Sequence, residues 1–266
     1  MKHIFLHMDE VRKKLAAKDL AVFLDFDGTL SPIAPTPGSA HLPPGTKRLI
    51  EMLSAAKGVM AAIISGRSLK DVSARVGIRD IIYAGNHGME ISGKGIEMRS
   101  SPAGDKDMKE LKAAVLKAVR GIDGARVEDK GASLTVHYRL SPKAAAAELR
   151  HRMVHLRGSL GKGGKFYIRR GKKAYEILPV GGWNKGMAII YILEKLKRSG
   201  MGDGYSVVYM GDDRTDRDAF KAVRGDGISV YVGKSRTGYG AEYYLRNTLE
   251  AAKFLEYILK LRKEDL

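Results

Sequence analysis

The sequence predicts an α/β protein, with a parallel, doubly wound sheet core interrupted by a smaller inserted α+β domain. Three observations point to it. The apolar runs Ala21–Leu24 and Val59–Ile64 are short enough for buried strands and alternate with segments of helical apolar spacing. That alternation stops near residue 102, where a helix–strand–strand unit begins and is then repeated. After residue 179 the strand–helix order resumes. The expected domains are therefore residues 1–101 with 180–266 for the core, and 102–179 for the insertion.

Each element has its own signal. Met8, Val11 and Leu15 give a short amphipathic helix over 8–18, and residues 21–26 form the first buried strand. The proline-rich stretch from Ser31 to Pro44 reads as a loop. Leu49, Ile50 and Leu53 share one face of a helix over 46–57. A strand at 59–64, a helix at 69–76 and a strand at 81–84 complete the first half. In the insertion, helices over 105–120 and 142–156 each precede a strand pair, at 126–129 with 133–138 and at 166–169 with 174–178. The core returns with a helix at 185–197, a strand at 206–210, a helix at 215–223, a strand at 228–232 and a closing helix at 249–263.

Composition narrows the function. The chain has 266 residues and no cysteine, which rules out a disulfide frame, a thiol nucleophile and a Cys-ligated zinc and fits a reducing compartment. No N-terminal apolar segment reads as a secretory signal, and no apolar stretch is long enough to span a membrane, so a soluble cytoplasmic protein is expected. The net charge of +17, concentrated locally between Arg150 and Lys173, is compatible with nucleic acid, an anionic surface or an anionic small substrate.

Polar segments at the ends of the apolar strands carry the chemistry. Asp25-Phe26-Asp27-Gly28-Thr29 follows the first strand, and residues two apart on a strand point the same way. Two carboxylates on one face repel unless a cation or proton lies between them, and hard cations such as Mg2+ take oxygen ligands of this kind. Ser65 follows the second strand, Lys185 opens a helix, and Gly211-Asp212-Asp213-Arg214-Thr215-Asp216 follows a later strand. Ligands of open α/β sheets sit outside the carboxyl ends of the strands, and three of these four segments lie there in the expected fold, which allows them to converge. Asp25 is the candidate nucleophile at phosphorus and Asp27 the acid and base. Asp25, Asp27 and Asp212 are the candidate Mg2+ ligands, with Asp213 and Asp216 as acidic neighbours. Ser65 and Lys185 are candidates to bind the transferring phosphoryl oxygens.

In this order the segments resemble the haloacid dehalogenase-like phosphatase superfamily and, more narrowly, trehalose-6-phosphate phosphatases. The narrower resemblance rests on Leu24–Ile33, Ile63-Ile64-Ser65-Gly66-Arg67, Tyr83–Glu90, Val136-His137-Tyr138-Arg139, Gly171–Glu176, Asn184-Lys185-Gly186 and Gly211–Asp216. It implies a Rossmann-like core with an α+β cap, and Mg2+-dependent hydrolysis of trehalose 6-phosphate through an aspartyl-phosphate. It further implies that Gly66, Arg67, Asn86, His87, Gly88, Arg139, Lys172, Lys173 and Glu176 contact the substrate. The chain departs from the family pattern at Ile177-Leu178-Pro179, where an Arg-Pro pair often follows the cap Glu, and at Asp216-Arg217, where Asp-Glu is common.

Sucrose-phosphate and mannosyl-3-phosphoglycerate phosphatases share the core motifs and stay open as alternatives, because specificity lies in cap contacts. A sugar-phosphate sensor without turnover and a basic nucleic-acid-binding protein are the more distant alternatives. The second lacks zinc-finger spacing, and the P-loop-like stretch Gly158–Lys165 is one residue too long and is followed by Phe166. The expected partner is a small sugar phosphate, on a monomer, without nucleic acid or membrane.

Overall fold

The computed structural model describes residues 1–16, 19–100, 103–160, 164–171, 173–181, 183–199, 204–234 and 237–264. Lys172, Pro102 at the expected domain boundary and the helix end expected at Lys18 lie outside the described residues. In chain order the elements are β1 (Lys2–His3), α1 (Met8–Leu15), β2 (Asp19–Leu24), α2 (Pro44–Ala55), β3 (Val59–Ile64), α3 (Leu69–Val76), β4 (Ile82–Gly85), β5 (Glu90–Gly93) and β6 (Ile96–Arg99). There follow α4 (Asp105–Val119), β7 (Arg126–Asp129), β8 (Leu134–His137), α5 (Lys143–Leu160), β9 (Phe166–Gly171) and β10 (Ala174–Pro179). The chain ends with α6 (Lys185–Arg198), β11 (Tyr205–Gly211), α7 (Arg217–Ala222), β12 (Ile228–Val232), β13 (Tyr243–Leu245) and α8 (Thr248–Glu264).

Two compact units result: Met1–Met98 with Trp183–Leu266, and Arg99–Gly182. The first is built on a sheet of order β1-β13-β12-β11-β2-β3-β4-β5-β6. Its pairs from β1 to β4 are parallel, and β5 runs antiparallel to β4. Side-chain alternation along β2 splits the core. Leu20, Val22 and Leu24 join Ile50 and Leu53 of α2, Val72 and Val76 of α3, and Phe254 and Ile258 of α8. Ala21 and Phe23 face the other way, with Ile189, Ile192 and Leu196 of α6 and Phe220 of α7. Both faces of the parallel sheet are thus buried, which explains why its strands read as continuous apolar runs.

The second unit is a four-stranded sheet of order β7-β8-β10-β9, whose assigned pairs are all antiparallel. Leu111 and Val115 of α4 and Leu149 and Met153 of α5 cover Leu134, Val136, Tyr175 and Ile177. The α/β core with an α+β insertion is therefore present. The strands that the sequence analysis missed are β1, β5, β6 and β13, none longer than four residues. They are too short to show a period. The first strand also ends at Leu24, not at residue 26 as expected.

Phe254→Ala should lower the unfolding free energy by about 3–5 kcal/mol, since the ring is fully buried between α8 and the sheet. A shifted urea midpoint at unchanged slope would report this, and a loss below about 1 kcal/mol would contradict the packing described.

Candidate active site

The strand order reverses direction beside β2. From β2 the chain moves through β3 to β4 on one side, whereas β11, β12 and β13 lie on the other. The crevice at such a reversal, outside the carboxyl ends of the strands, is where open α/β sheets bind ligands. Asp25 follows β2, Ser65 follows β3, Asn86 follows β4, and Asp212 follows β11. Lys185 opens α6, whose Asn184 cap accepts the Met187 amide at 2.9 Å.

Asp25, Asp212 and Asp216 each offer a carboxylate oxygen, and these atoms lie within 4.8 Å of one another. The Lys185 ammonium reaches Asp25 Oδ1 at 2.7 Å and Asp216 Oδ1 at 2.6 Å, with its side chain only 3% exposed. A lysine at the positive end of a helix opposes the helix dipole, so these carboxylates hold it there. Burial alone would push the Lys185 amine down, but Asp216 and Asp25 prevail and keep it protonated. Burial pushes the Asp25 carboxyl well above its ordinary value. Lys185 opposes the rise, while Asp216 and Asp212 add to it. One ammonium does not balance three carboxylates, and a hard divalent cation fits this all-oxygen donor set.

The three carboxylates are not equivalent. Asp216 Oδ1 accepts from Lys185 and from the Tyr209 hydroxyl at 2.5 Å, and Oδ2 accepts the amides of Asp212 and Asp213, each at 2.9 Å. All its acceptor positions are taken, so Asp25 and Asp212 are the groups with chemistry left for a cation. Gly28, at φ +88°, makes the approach of Asp212 possible: a Cβ there would stand 2.1 Å from Asp212 Oδ2.

Asp27 lies outside that trio, although its spacing from Asp25 placed both on one strand face. The strand ends at Leu24 and the chain turns, so the side-chain alternation does not continue. Arg67 takes the Asp27 carboxylate instead, with Nε at 2.7 Å from Oδ2 and Nη2 at 2.6 Å from Oδ1. Buried Ser65 accepts the Arg67 amide at 3.2 Å. The two loops are stitched by backbone: the Asn86 amide reaches Arg67 O at 2.6 Å, and the His87 amide reaches Ser65 O at 2.9 Å. A Cβ on Gly66 would meet the His87 ring at 2.6 Å, and one on Gly88 would meet the Ala188 side chain at the same distance. Asp213 accepts the Thr215 amide at 2.6 Å and hydroxyl at 2.7 Å, capping the turn that carries Asp216.

Arg139, Lys173 and Glu176 belong to the inserted unit. Glu176 on β10 is paired in register with Arg169 on β9, whose Nε donates to it at 2.9 Å. Lys173 turns the β9–β10 hairpin at φ +58°, and Arg139 is exposed beyond β8.

Four groups were given no role from the sequence, although Thr29 and Glu90 lie within the quoted motifs. Tyr209 reads as a core aromatic in an apolar strand, although a buried tyrosine hydroxyl needs a partner. Thr29 donates to Asp25 Oδ2 at 3.3 Å, and Glu90 accepts from the Asn86 side chain at 2.7 Å. Asp71 is paired with Arg67 at 2.7 Å and had a sequence signal, the alternating charges at 67, 71 and 75.

Among the described residues no helix is long and apolar enough to cross a membrane. Residues 23–245 match the family model for trehalose-phosphatase. A relative named probable trehalose-phosphate phosphatase 4, of Oryza sativa subsp. japonica, is 32% identical over 264 residues, covering 97% of this chain and 70% of its own. Trehalose-phosphate phosphatase B of Arabidopsis thaliana is 32% identical over 274 residues, covering 97% and 71%. The C-terminal domain of C. albicans trehalose-6-phosphate phosphatase superposes with a TM-score of 0.80 over 96% of this chain and 97% of its own, at 20% identity, a likeness of fold.

Lys185→Met, measured in chelator, should cost about 3–5 kcal/mol of stability by leaving Asp25 and Asp216 uncompensated. Adding Asp216→Asn should restore part of it. An unchanged urea midpoint in the single variant would refute this account of the buried charges.

Proposed function

The chain belongs to the trehalose-phosphatase family, and we propose that it hydrolyses trehalose 6-phosphate to trehalose and phosphate with Mg2+ as cofactor. The observation that carries this reading is the meeting of Asp25, Asp212 and Lys185 outside the ends of β2 and β11. Asp25 and Asp212 would hold the ion. When bound, Mg2+ supplies positive charge that offsets the phosphoryl oxygens and the crowded carboxylates.

Asp25 attacks phosphorus to give an aspartyl-phosphate, and the bond between phosphorus and the sugar oxygen breaks. Asp27 gives its proton to that oxygen as trehalose leaves. Asp27 then takes a proton from water as the water attacks phosphorus, and phosphate departs with the Asp25 carboxylate regenerated. Lys185 and Ser65 bind the transferring oxygens, while Asp216, which accepts from the Tyr209 hydroxyl, holds Lys185 in place. In this reading Gly66, Asn86, His87 and Gly88 would contact the substrate. Arg139, Lys172, Lys173 and Glu176 offer charged partners for the sugar hydroxyls.

Phosphate release is the test, from trehalose 6-phosphate, sucrose phosphate and mannosyl-3-phosphoglycerate, each with Mg2+ or chelator. Trehalose 6-phosphate should be preferred, chelator should abolish turnover, and Asp25→Asn should lower kcat more than about a thousandfold. Preference for another sugar phosphate, or an active Asp25→Asn, would defeat the proposal. Glu176→Ala should raise KM for trehalose 6-phosphate about tenfold while leaving KM for p-nitrophenyl phosphate unchanged. Equal rises would remove Glu176 from sugar recognition.

A further inference from the structure

Asp27 stands at one end of a row of alternating charges whose other members take no part in the proton transfers above. Arg67 gives two nitrogens to Asp27 and the third, Nη1, to Asp71 Oδ2 at 2.7 Å. Asp71, in the first turn of α3, accepts Arg75 Nε on both oxygens at 2.9 Å. Arg75, in the last turn, donates Nη1 to the carbonyls of Gly38 at 3.1 Å and Ala40 at 2.7 Å. Those carbonyls belong to the connection between β2 and α2, the same connection that carries Asp27. The row therefore leaves this segment at Asp27 and returns to it at residues 38 and 40.

The arrangement answers a mechanical need. The Asp27 side chain is 44% exposed and precedes a glycine, so little packing fixes its direction. An arginine fork fixes the carboxylate plane while taking one lone-pair direction from each oxygen, and the other directions remain open to a proton. The fork must itself be held, since a free arginine side chain carries substantial rotamer entropy. Arg67 is buried, with its guanidinium 5.4 Å from the Phe26 ring centroid, and Asp71 engages its remaining terminal nitrogen. Burial pushes the Asp71 carboxyl up, but hydrogen bonds from Arg75 and Arg67 outweigh it and hold the group below the usual carboxylate range, hence charged at neutral pH.

We propose that Asp71, acting through Arg67, is a positioning residue that aims the Asp27 carboxyl at the leaving oxygen. The inference rests on the reading of Asp27 as the group that protonates that oxygen. When the ester bond breaks, its electron pair goes to the leaving oxygen, and the Asp27 proton follows. A basic sugar alkoxide needs that proton, whereas p-nitrophenolate leaves without it. Misaiming Asp27 therefore costs rate in proportion to leaving-group basicity, which a general loss of structure would not do.

Trehalose 6-phosphate, phenyl phosphate and p-nitrophenyl phosphate separate the possibilities. In Asp71→Asn, kcat/KM should fall about 10- to 100-fold for trehalose 6-phosphate and less than about threefold for p-nitrophenyl phosphate. Phenyl phosphate, with the more basic phenolate, should suffer more than its nitro analogue. Arg67→Lys keeps the charge, loses the fork and should give the same split, which keeps the test available if circular dichroism finds Asp71→Asn unfolded. Equal losses on all three substrates, beside an Asp27→Asn variant that does show the split, overturn the inference alone. An Asp27→Asn variant without the split overturns the reading of Asp27 and the inference with it.

Discussion

The site depends on an imbalance of charge in a place with little water. Asp25, Asp212 and Asp216 face one lysine whose ammonium is almost wholly buried. Each carboxylate raises the cost of ionising its neighbours, and Lys185 relieves two of them, at hydrogen-bond distance from Asp25 and Asp216. This explains why a lysine stands at the first turn of α6 against the helix dipole, and why Asp216 is saturated with donors. With Asp216 engaged by four donors, Asp25 and Asp212, which follow β2 and β11, are the carboxylates proposed to meet a cation.

Topology places these groups without further design. Parallel strands send all their carboxyl ends to one edge of the sheet, and the reversal beside β2 opens a crevice there. Loops after β2, β3, β4 and β11 then meet through a few short contacts. The Asn86 and His87 amides bond to the loop after β3, and the Asp25 amide bonds to Met210 O at 2.9 Å, continuing the ladder one residue past the strand. Glycine at 28, 66 and 88 removes the side chains that would keep these loops apart.

Much of this was legible in the sequence, because buried parallel strands announce themselves as apolar runs and their ends as abrupt polar segments. Period-2 alternation holds up to Leu24 and does not extend to Asp27, where the chain has left the strand and side-chain direction follows the turn. Tyr209 was hidden by its apolar neighbours, since the partner that gives its hydroxyl a purpose lies on a later turn. The charges at 67, 71 and 75 were visible as a spacing, but their meaning required the fold: only there does Arg67 face Asp27 and Arg75 face residues 38 and 40. The short strands β1, β5, β6 and β13 follow from pairing with longer neighbours, and pairing is a non-local fact.

The position of β2 has a dynamic consequence. It is hydrogen-bonded on both sides, to β11 and β3, and covered by helices on both faces. Such a strand belongs to the slowest-opening part of a protein, where amide protons exchange with solvent only through global unfolding. The backbone that presents Asp25 is thereby anchored in the best-protected part of the sheet. Asp27 lies a few residues later, beyond the ladder, and is held through its side chain by Arg67, so one short segment carries one aspartate fixed by backbone pairing and one fixed by side-chain pairing.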